Sequence, residues 1–342
     1  MRNQADVSEV PDHGGSLARA EARFPEAPKP WIDLSTGINP HAYPFSPLPA
    51  TAFSRLPEPA ETAELARLAA STYGVANPSC IACGPGTQIL LPLVMRLVEL
   101  GRAAVLSPTY AEHARAAALV GHQVTETGAI DDLYDAVLAV IVNPNNPTGR
   151  VVPRAKLLDL AKHLHAKGGL LVVDEAFMEV GPEGESVAGD VGDGGLVVLR
   201  SFGKFFGLAG VRLGFVLAER WRAEWLNAQL GPWAVSGPTL HIAKEALADE
   251  AWKEAMRRRL GEEAARIDRV LSARGLEIVG GTSLFRYVQS AHAAALYQLL
   301  GEHGILVRPF RFADDVLRIG LPADDDALSR LEAALTAFRA QA

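Results

Sequence analysis

Between residues 103 and 217 the chain alternates short apolar runs with helical patterns, and no other feature constrains its fold as tightly. Residues 103–106, 136–142, 170–173, 196–199 and 211–217 read as strands, and 111–120 and 154–167 as helices. Strands that are apolar at successive positions must be covered on both faces. This predicts a largely parallel sheet sandwiched by helices, an α/β fold. Asn146, Asp174, Ser201 and Lys204 fall just after the C-terminal ends of such runs. In open α/β sheets that is where ligands sit.

The flanks read differently. Residues 1–30 are polar and rich in Pro and Ala, an extended arm with one short helix near 16–24. Residues 31–39 read as extended. Prolines 40, 44, 47, 49, 57 and 59 then exclude a long helix before the helical pattern at 61–73. Residues 89–100, after Gly84-Pro85-Gly86-Thr87-Gln88, read as a helix. After Trp233 come long helices over 238–273, with short strands and a helix over 275–342. The expected division is an arm over 1–45, a large domain over 46–235 and a small α+β domain over 236–342.

With 342 residues, 49% of them hydrophobic, the chain can bury a sizeable core in more than one domain. A net charge of -7 without a basic run argues against nucleic acid as a partner. No run of 18 apolar residues suits a membrane span, and residues 1–10 lack an apolar signal core, so a cytoplasmic location is expected. Cys80 and Cys83 are spaced C-x-x-C. A redox pair or half a zinc site would fit the spacing. With no second Cys or Cys/His cluster, buried thiols in a strand are the better account, and no metal site is expected.

Lys204 lies in Ser201-Phe202-Gly203-Lys204-Phe205-Phe206-Gly207-Leu208-Ala209-Gly210-Val211-Arg212. An amine among apolar groups has its charged form disfavoured and becomes a usable nucleophile. Ser201 and Arg212 are groups that hold a phosphate dianion. A lysine beside a phosphate clamp is what a pyridoxal 5'-phosphate Schiff-base site requires. The alternative is a glycine-rich loop carrying a surface lysine.

Together with Asn143-Pro144-Asn145-Asn146-Pro147-Thr148-Gly149 and Asp174-Glu175-Ala176-Phe177, this stretch resembles the aspartate-aminotransferase-like, fold-type I enzymes that use pyridoxal 5'-phosphate. The resemblance implies a large domain with a mostly parallel seven-stranded sheet, a smaller C-terminal domain and a homodimer. It implies that Lys204 binds the cofactor covalently, with Ser201 and Arg212 on its phosphate and Gly86, Thr87 and Gln88 forming the phosphate loop. Tyr110 is expected to stack on the pyridine, Asn146 to donate to the phenolic oxygen and Asp174 to pair with the pyridine nitrogen. Arg318 matches the arginine that takes a substrate carboxylate, and Arg308 nearby suggests a dianionic or phosphorylated substrate. Two positions depart from the pattern. Phe177 stands where many relatives carry a tyrosine donor, and Leu56 where several carry a tyrosine that reaches the partner subunit's cofactor phosphate.

Two branches fit, the histidinol-phosphate aminotransferases and the threonine-phosphate decarboxylases of cobalamin biosynthesis. His13-Gly14-Gly15 followed by Asp33-Leu34-Ser35-Thr36-Gly37-Ile38-Asn39-Pro40 resembles the decarboxylases, which often carry Ala-Asn where this chain has Thr36-Gly37. The substrate phosphate is then expected near His13, Gly14, Arg308 and the 35–39 segment with Asn39, and Asn146 near the substrate too. Lys204, once released, is expected to protonate the substrate Cα. A cofactor-binding regulator without catalysis would need a DNA-binding domain, for which the arm shows no helix-turn-helix or basic patch.

Overall fold

The computed structural model describes residues 13–339, so the first twelve residues of the expected arm lie outside the described residues. Two compact units are present. One comprises Tyr43–Asn146 and Val151–Trp252, and the other residues 13–42, Pro147–Arg150 and residues 253–339.

The first unit is built on seven strands: β1 (Ile81–Gly84), β2 (Arg102–Leu106), β3 (Gln123–Thr127), β4 (Leu138–Val142), β5 (Leu170–Asp174), β6 (Leu196–Ser201) and β7 (Gly214–Ala218). Their order is β1-β7-β6-β5-β4-β2-β3. The β2 to β6 strands pair in parallel, and β7 runs antiparallel to both β1 and β6. This is the mostly parallel seven-stranded sheet that the family resemblance implied.

Successive residues of a strand point to opposite faces. On one face, Val105, Val140, Val172, Leu199 and Val216 join one core cluster with Leu90 and Leu91 of helix Thr87–Val94 and Ala116 and Ala117 of helix Glu112–Val120. The opposite face of β5 is covered by helix Arg154–His165, whose buried Leu157, Leu160, Ala161 and Leu164 repeat at helical spacing. Each fully buried leucine or valine contributes about 1.5–3 kcal/mol. Continuing the two-residue period places Asp174, Ser201 and Gly214 on the first face, at the strand ends beyond the core. The ladder sets Ser201 opposite Gly214, and Gly214 opposite Gly84. The core alternation itself thus collects polar and small residues at one edge.

Helix Pro59–Tyr73 starts at a capping box between Glu58 and Glu61 and packs against helix Gly237–Ala248. Cys80 and Cys83 are buried thiols, Cys83 in β1 and Cys80 just before it. Burial pushes the Cys83 thiol up to about 12 and raises Cys80 as well.

The second unit holds an antiparallel sheet of β8 (Glu277–Thr282), β9 (Phe285–Gln289), β10 (Arg308–Phe310) and β11 (Ala313–Gly320), in the order β10-β11-β9-β8. Helices Ala293–Glu302 and Asp325–Arg339 accompany it. The arm helix expected near 16–24 is Leu17–Arg23, and Phe24 after it meets the rings of Trp31 and Tyr297. Ile32 and Asp33 pair in parallel with Ile305 and Leu306. Gly320 N–H of β11 donates to Leu34 O at 2.7 Å. The extended piece of the arm therefore forms a two-stranded parallel sheet with Ile305–Leu306 and bonds the end of β11.

Candidate active site

In the first unit the ends of β5 and β6 carry Asp174 and Ser201, and the next turn carries Lys204 on the short helix Phe202–Phe205. Phe202 and Phe205 are buried on either side of the lysine. Phe206 stacks on Phe202 at 4.5 Å and on Trp252 at 5.7 Å between ring centroids, which gives the turn a rigid apolar floor. Lys204 Nζ lies 5.9 Å from the centre of the buried Phe177 ring. Phe177 brings a π face to this amine and no donor. Leu56 is 63% exposed.

Asp174 is buried and held at both oxygens. Its Oδ1 accepts Ala176 N–H at 3.0 Å, and its Oδ2 is 2.8 Å from His113 Nε2. His113, on the buried face of helix Glu112–Val120, is fully buried. The sequence reading missed this histidine. Its signal is a histidine among Ala114, Ala116 and Ala117 three residues after Tyr110, where a lone histidine in a small-residue helix is easily taken for filler. Tyr110 meets the His113 ring edge-on, with centroids 5.8 Å apart.

The Asn-Pro turn is anchored from several sides. Asn143 N–H donates to Asp174 O at 2.8 Å, and its side chain exchanges two bonds with the backbone of Val152. Thr109 Oγ1 donates to Asn145 Oδ1 at 2.7 Å, and Asn145 Nδ2 donates to Pro108 O at 3.0 Å. Asn146, half-buried, follows directly and ends the first segment of this unit. Pro147–Arg150 belongs to the second unit. There Gly149, at φ 72°, would place a Cβ 2.1 Å from Gly281 O. Only glycine permits that approach.

Gly86, at φ 92°, caps helix Thr87–Val94, and a Cβ on it would fall 2.5 Å from Arg212 Nη2. Arg212 takes a left-handed φ of 56° and donates through Nη1 to Ala209 O at 3.1 Å. Gly86, Thr87, Ser201 and Arg212 thus border one cradle: a helix start with its N–H groups, a hydroxyl and a guanidinium. It suits a phosphate, and the buried Asp174–His113 pair suits a protonated ring nitrogen. The donor set fits pyridoxal 5'-phosphate. Gln88 is placed differently from the rest of the loop, since its side chain bonds Tyr110 and Glu112.

The second unit holds the other expected residues. Arg318 of β11 is the direct cross-strand partner of Arg308 of β10. Arg318 is 6% exposed, donates through Nη2 to Ser35 O at 2.6 Å and lies over the Phe285 ring. Burial, then the nearby Arg308 charge, lowers its pKa to about 10, against the opposing pull of Asp33. Gly14 backs onto Ser35, and Gly15 N–H donates to Ser35 Oγ at 2.7 Å. Ser35 Oγ in turn donates to Asp33 Oδ1 at 2.6 Å. The His13-Gly14-Gly15 turn, Ser35 and Arg318 are so brought together. Asn39, buried, turns its own loop by accepting His41 N–H at 2.8 Å.

The family model for aminotransferase class I and II matches residues 50–335. The chain belongs to the aminotransferase class I and II family. Within that family it is 43% identical over 333 residues to a threonine-phosphate decarboxylase of Pseudomonas aeruginosa, covering 96% of this chain and 98% of the relative. It is 28% identical over 269 residues to a histidinol-phosphate aminotransferase of Thermoanaerobacter sp., covering 74% of this chain and 75% of that one. Among solved structures, the histidinol-phosphate aminotransferase of Sinorhizobium meliloti in complex with pyridoxal-5'-phosphate superposes with a TM-score of 0.82 at 22% identity, over 99% of this chain and 98% of that chain. The aminotransferase class I and II fold accounts for the seven-stranded sheet and the smaller C-terminal sheet. Among the described residues no helix is long and apolar enough to cross a membrane.

Proposed function

We propose that this chain is a pyridoxal 5'-phosphate-dependent lyase that decarboxylates L-threonine O-3-phosphate to (R)-1-amino-2-propanol O-2-phosphate and CO2, a step of cobalamin biosynthesis. The observation that carries the reading is the 43% identity to a threonine-phosphate decarboxylase over nearly the whole chain. The aminotransferase relative covers about three quarters of the chain at lower identity. The paired Arg308 and Arg318 agree with a substrate that carries both a carboxylate and a phosphate.

When bound, the cofactor supplies a conjugated ring that accepts the electron pair of a bond broken at the substrate Cα. Lys204 would hold its aldehyde carbon. Gly86, Thr87, Ser201 and Arg212 would hold its phosphate, with the backbone of Gln88 at the same helix start. Tyr110 would lie on the ring face and Asn146 would donate to its phenolic oxygen. Asp174, itself fixed by His113, would keep the ring nitrogen protonated, because a carboxylate favours the neighbouring cation. Arg318 would take the substrate carboxylate, and His13, Gly14, Asn39 and Arg308 the substrate phosphate. Lys204 Nζ, once released from the aldehyde carbon by the substrate amine, would be the group that carries a proton to the substrate Cα. Phe177 adds no donor, so the bond to the phenolic oxygen would rest on Asn146.

The enzyme is read as a cytoplasmic homodimer. Phe45, Phe53, Leu56 and Trp233 of the first unit are exposed apolar side chains, which suits a surface covered by a second copy. Light scattering of the purified chain measures this directly.

The activity test pairs two reactions of cofactor-loaded enzyme. One receives L-threonine O-3-phosphate and is followed for CO2; the other receives histidinol phosphate with 2-oxoglutarate and is followed for glutamate. Catalytic CO2 in the first alone is expected, and its loss in Lys204→Ala. Glutamate in the second without CO2 in the first overturns the decarboxylase reading and keeps the family.

A further inference from the structure

Glu112 opens the helix Glu112–Val120 and is 2% exposed. An acid this deep persists only with donors around it. Its Oε2 accepts Gln88 Nε2–H at 2.6 Å and Arg115 Nη1–H at 3.1 Å. Gln88 Oε1 in turn accepts the Tyr110 hydroxyl at 3.0 Å. The Tyr110 ring stands edge-on to His113, and His113 reaches Asp174. One line of contacts therefore runs from Arg115 to the carboxylate at the end of β5.

A primary amide has two ends of nearly equal shape, so Gln88 by itself allows either end to face Tyr110. An ionised carboxylate can only accept. Arg115 Nη1–H donates to the same Glu112 oxygen, so that oxygen serves as an acceptor toward both donors. Glu112 thus draws the NH2 end of Gln88 to itself and turns the amide oxygen toward Tyr110. The phenol meets that oxygen as a donor.

We infer that Glu112 is a positioning residue that acts through Gln88 to fix the hydroxyl direction and the ring pose of Tyr110 in the cofactor site. This rests on the proposed stacking role of Tyr110. It adds a division of labour within Gln88, whose backbone belongs to the helix start while its side chain serves the ring. The helix that opens at the phosphate cradle and the ring that covers the cofactor are thereby set by one amide.

The test is a double-mutant cycle on Glu112→Gln and Tyr110→Phe. The readouts are the pyridoxal 5'-phosphate dissociation constant, from tryptophan fluorescence, and the induced circular dichroism of the bound cofactor. Glu112→Gln makes the relay direction ambiguous and is expected to weaken binding by up to about tenfold, the net worth of one hydrogen bond. In the Tyr110→Phe background the same change is expected to add less than about twofold, because the hydroxyl it steers is gone. If Glu112→Gln misfolds, Gln88→Met cuts the relay and leaves the Glu112–Arg115 pair for the same cycle. Losses that add fully in the double variant overturn the inference and leave the stacking role standing. A Tyr110→Ala enzyme that binds the cofactor as tightly as the parent, with the same circular dichroism, overturns the stacking role and the inference with it.

Discussion

Arg308 and Arg318 face each other directly across two antiparallel strands, β10 and β11. Like charges so placed destabilise a sheet by roughly 0.2–1 kcal/mol. Burial first, and the Arg308 charge second, lower the pKa of Arg318 to about 10. Folding disfavours the charged guanidinium, so the cost to stability is present below about pH 10 and fades as pH rises past it. An anion between the two side chains would offset the like-charge part of that cost.

Inorganic phosphate or L-threonine O-3-phosphate is therefore expected to raise the melting temperature at neutral pH. The gain should shrink in Arg308→Gln and as pH approaches about 10, where Arg318 begins to lose its charge. Calorimetric scans with and without phosphate measure it. An equal gain in the parent and in Arg308→Gln would remove this pair from the substrate site.

Gly86→Ala sets a side chain at φ 92° and a methyl 2.5 Å from Arg212 Nη2. The backbone strain, at φ 92° and ψ 151°, costs on the order of 1–3 kcal/mol, and the guanidinium must move. We expect cofactor affinity to fall at least about tenfold, as one charged hydrogen bond is lost. Equilibrium dialysis of pyridoxal 5'-phosphate checks this, and an unchanged affinity would dissociate Arg212 from the phosphate.

Asp174→Asn keeps the shape of the buried side chain and removes its charge. Turnover is expected to fall by roughly 10²–10³-fold, the usual weight of a preorganised electrostatic partner, with KM nearly unchanged because no substrate contact is touched. His113→Phe should lower turnover less, since it loosens Asp174 without neutralising it. Steady-state kinetics separate the two. A larger KM effect than turnover effect in Asp174→Asn would place that carboxylate on the substrate instead.

Cys83 is held up at about 12 and Cys80 is raised, both by burial. Only the thiolate reacts. Ellman's reagent at about pH 8 should leave both thiols untouched in the folded enzyme and titrate both in guanidinium. Rapid modification of the native chain would contradict the burial of β1.

Several elements were legible because their signal is local. The apolar runs at 138–142, 170–174 and 196–201 are strands for the reason their composition states: each is covered on both faces. The strand β3 was missed, because Gln123–Thr127 is polar, mostly exposed and paired on one side only. The helix expected over 89–100 begins at Thr87 and ends at Val94, its start set by the Gly86 turn. The strand expected from 211 begins at Gly214, since Arg212 first takes a left-handed turn.

The places of Lys204, Asp174 and Ser201 could be read from residue order, because each lies at or just after the end of a strand. Contacts between segments far apart in sequence could not. His113 reaches Asp174 across 61 residues, Gln88 reaches Glu112 across 24, and Arg318 reaches the backbone of Ser35 across 283. Periodicity records which face a residue takes along its own element. It holds no record of which other element is packed against that face, and packing is what set His113 against Asp174 in one unit and Ser35 against Arg318 in the other.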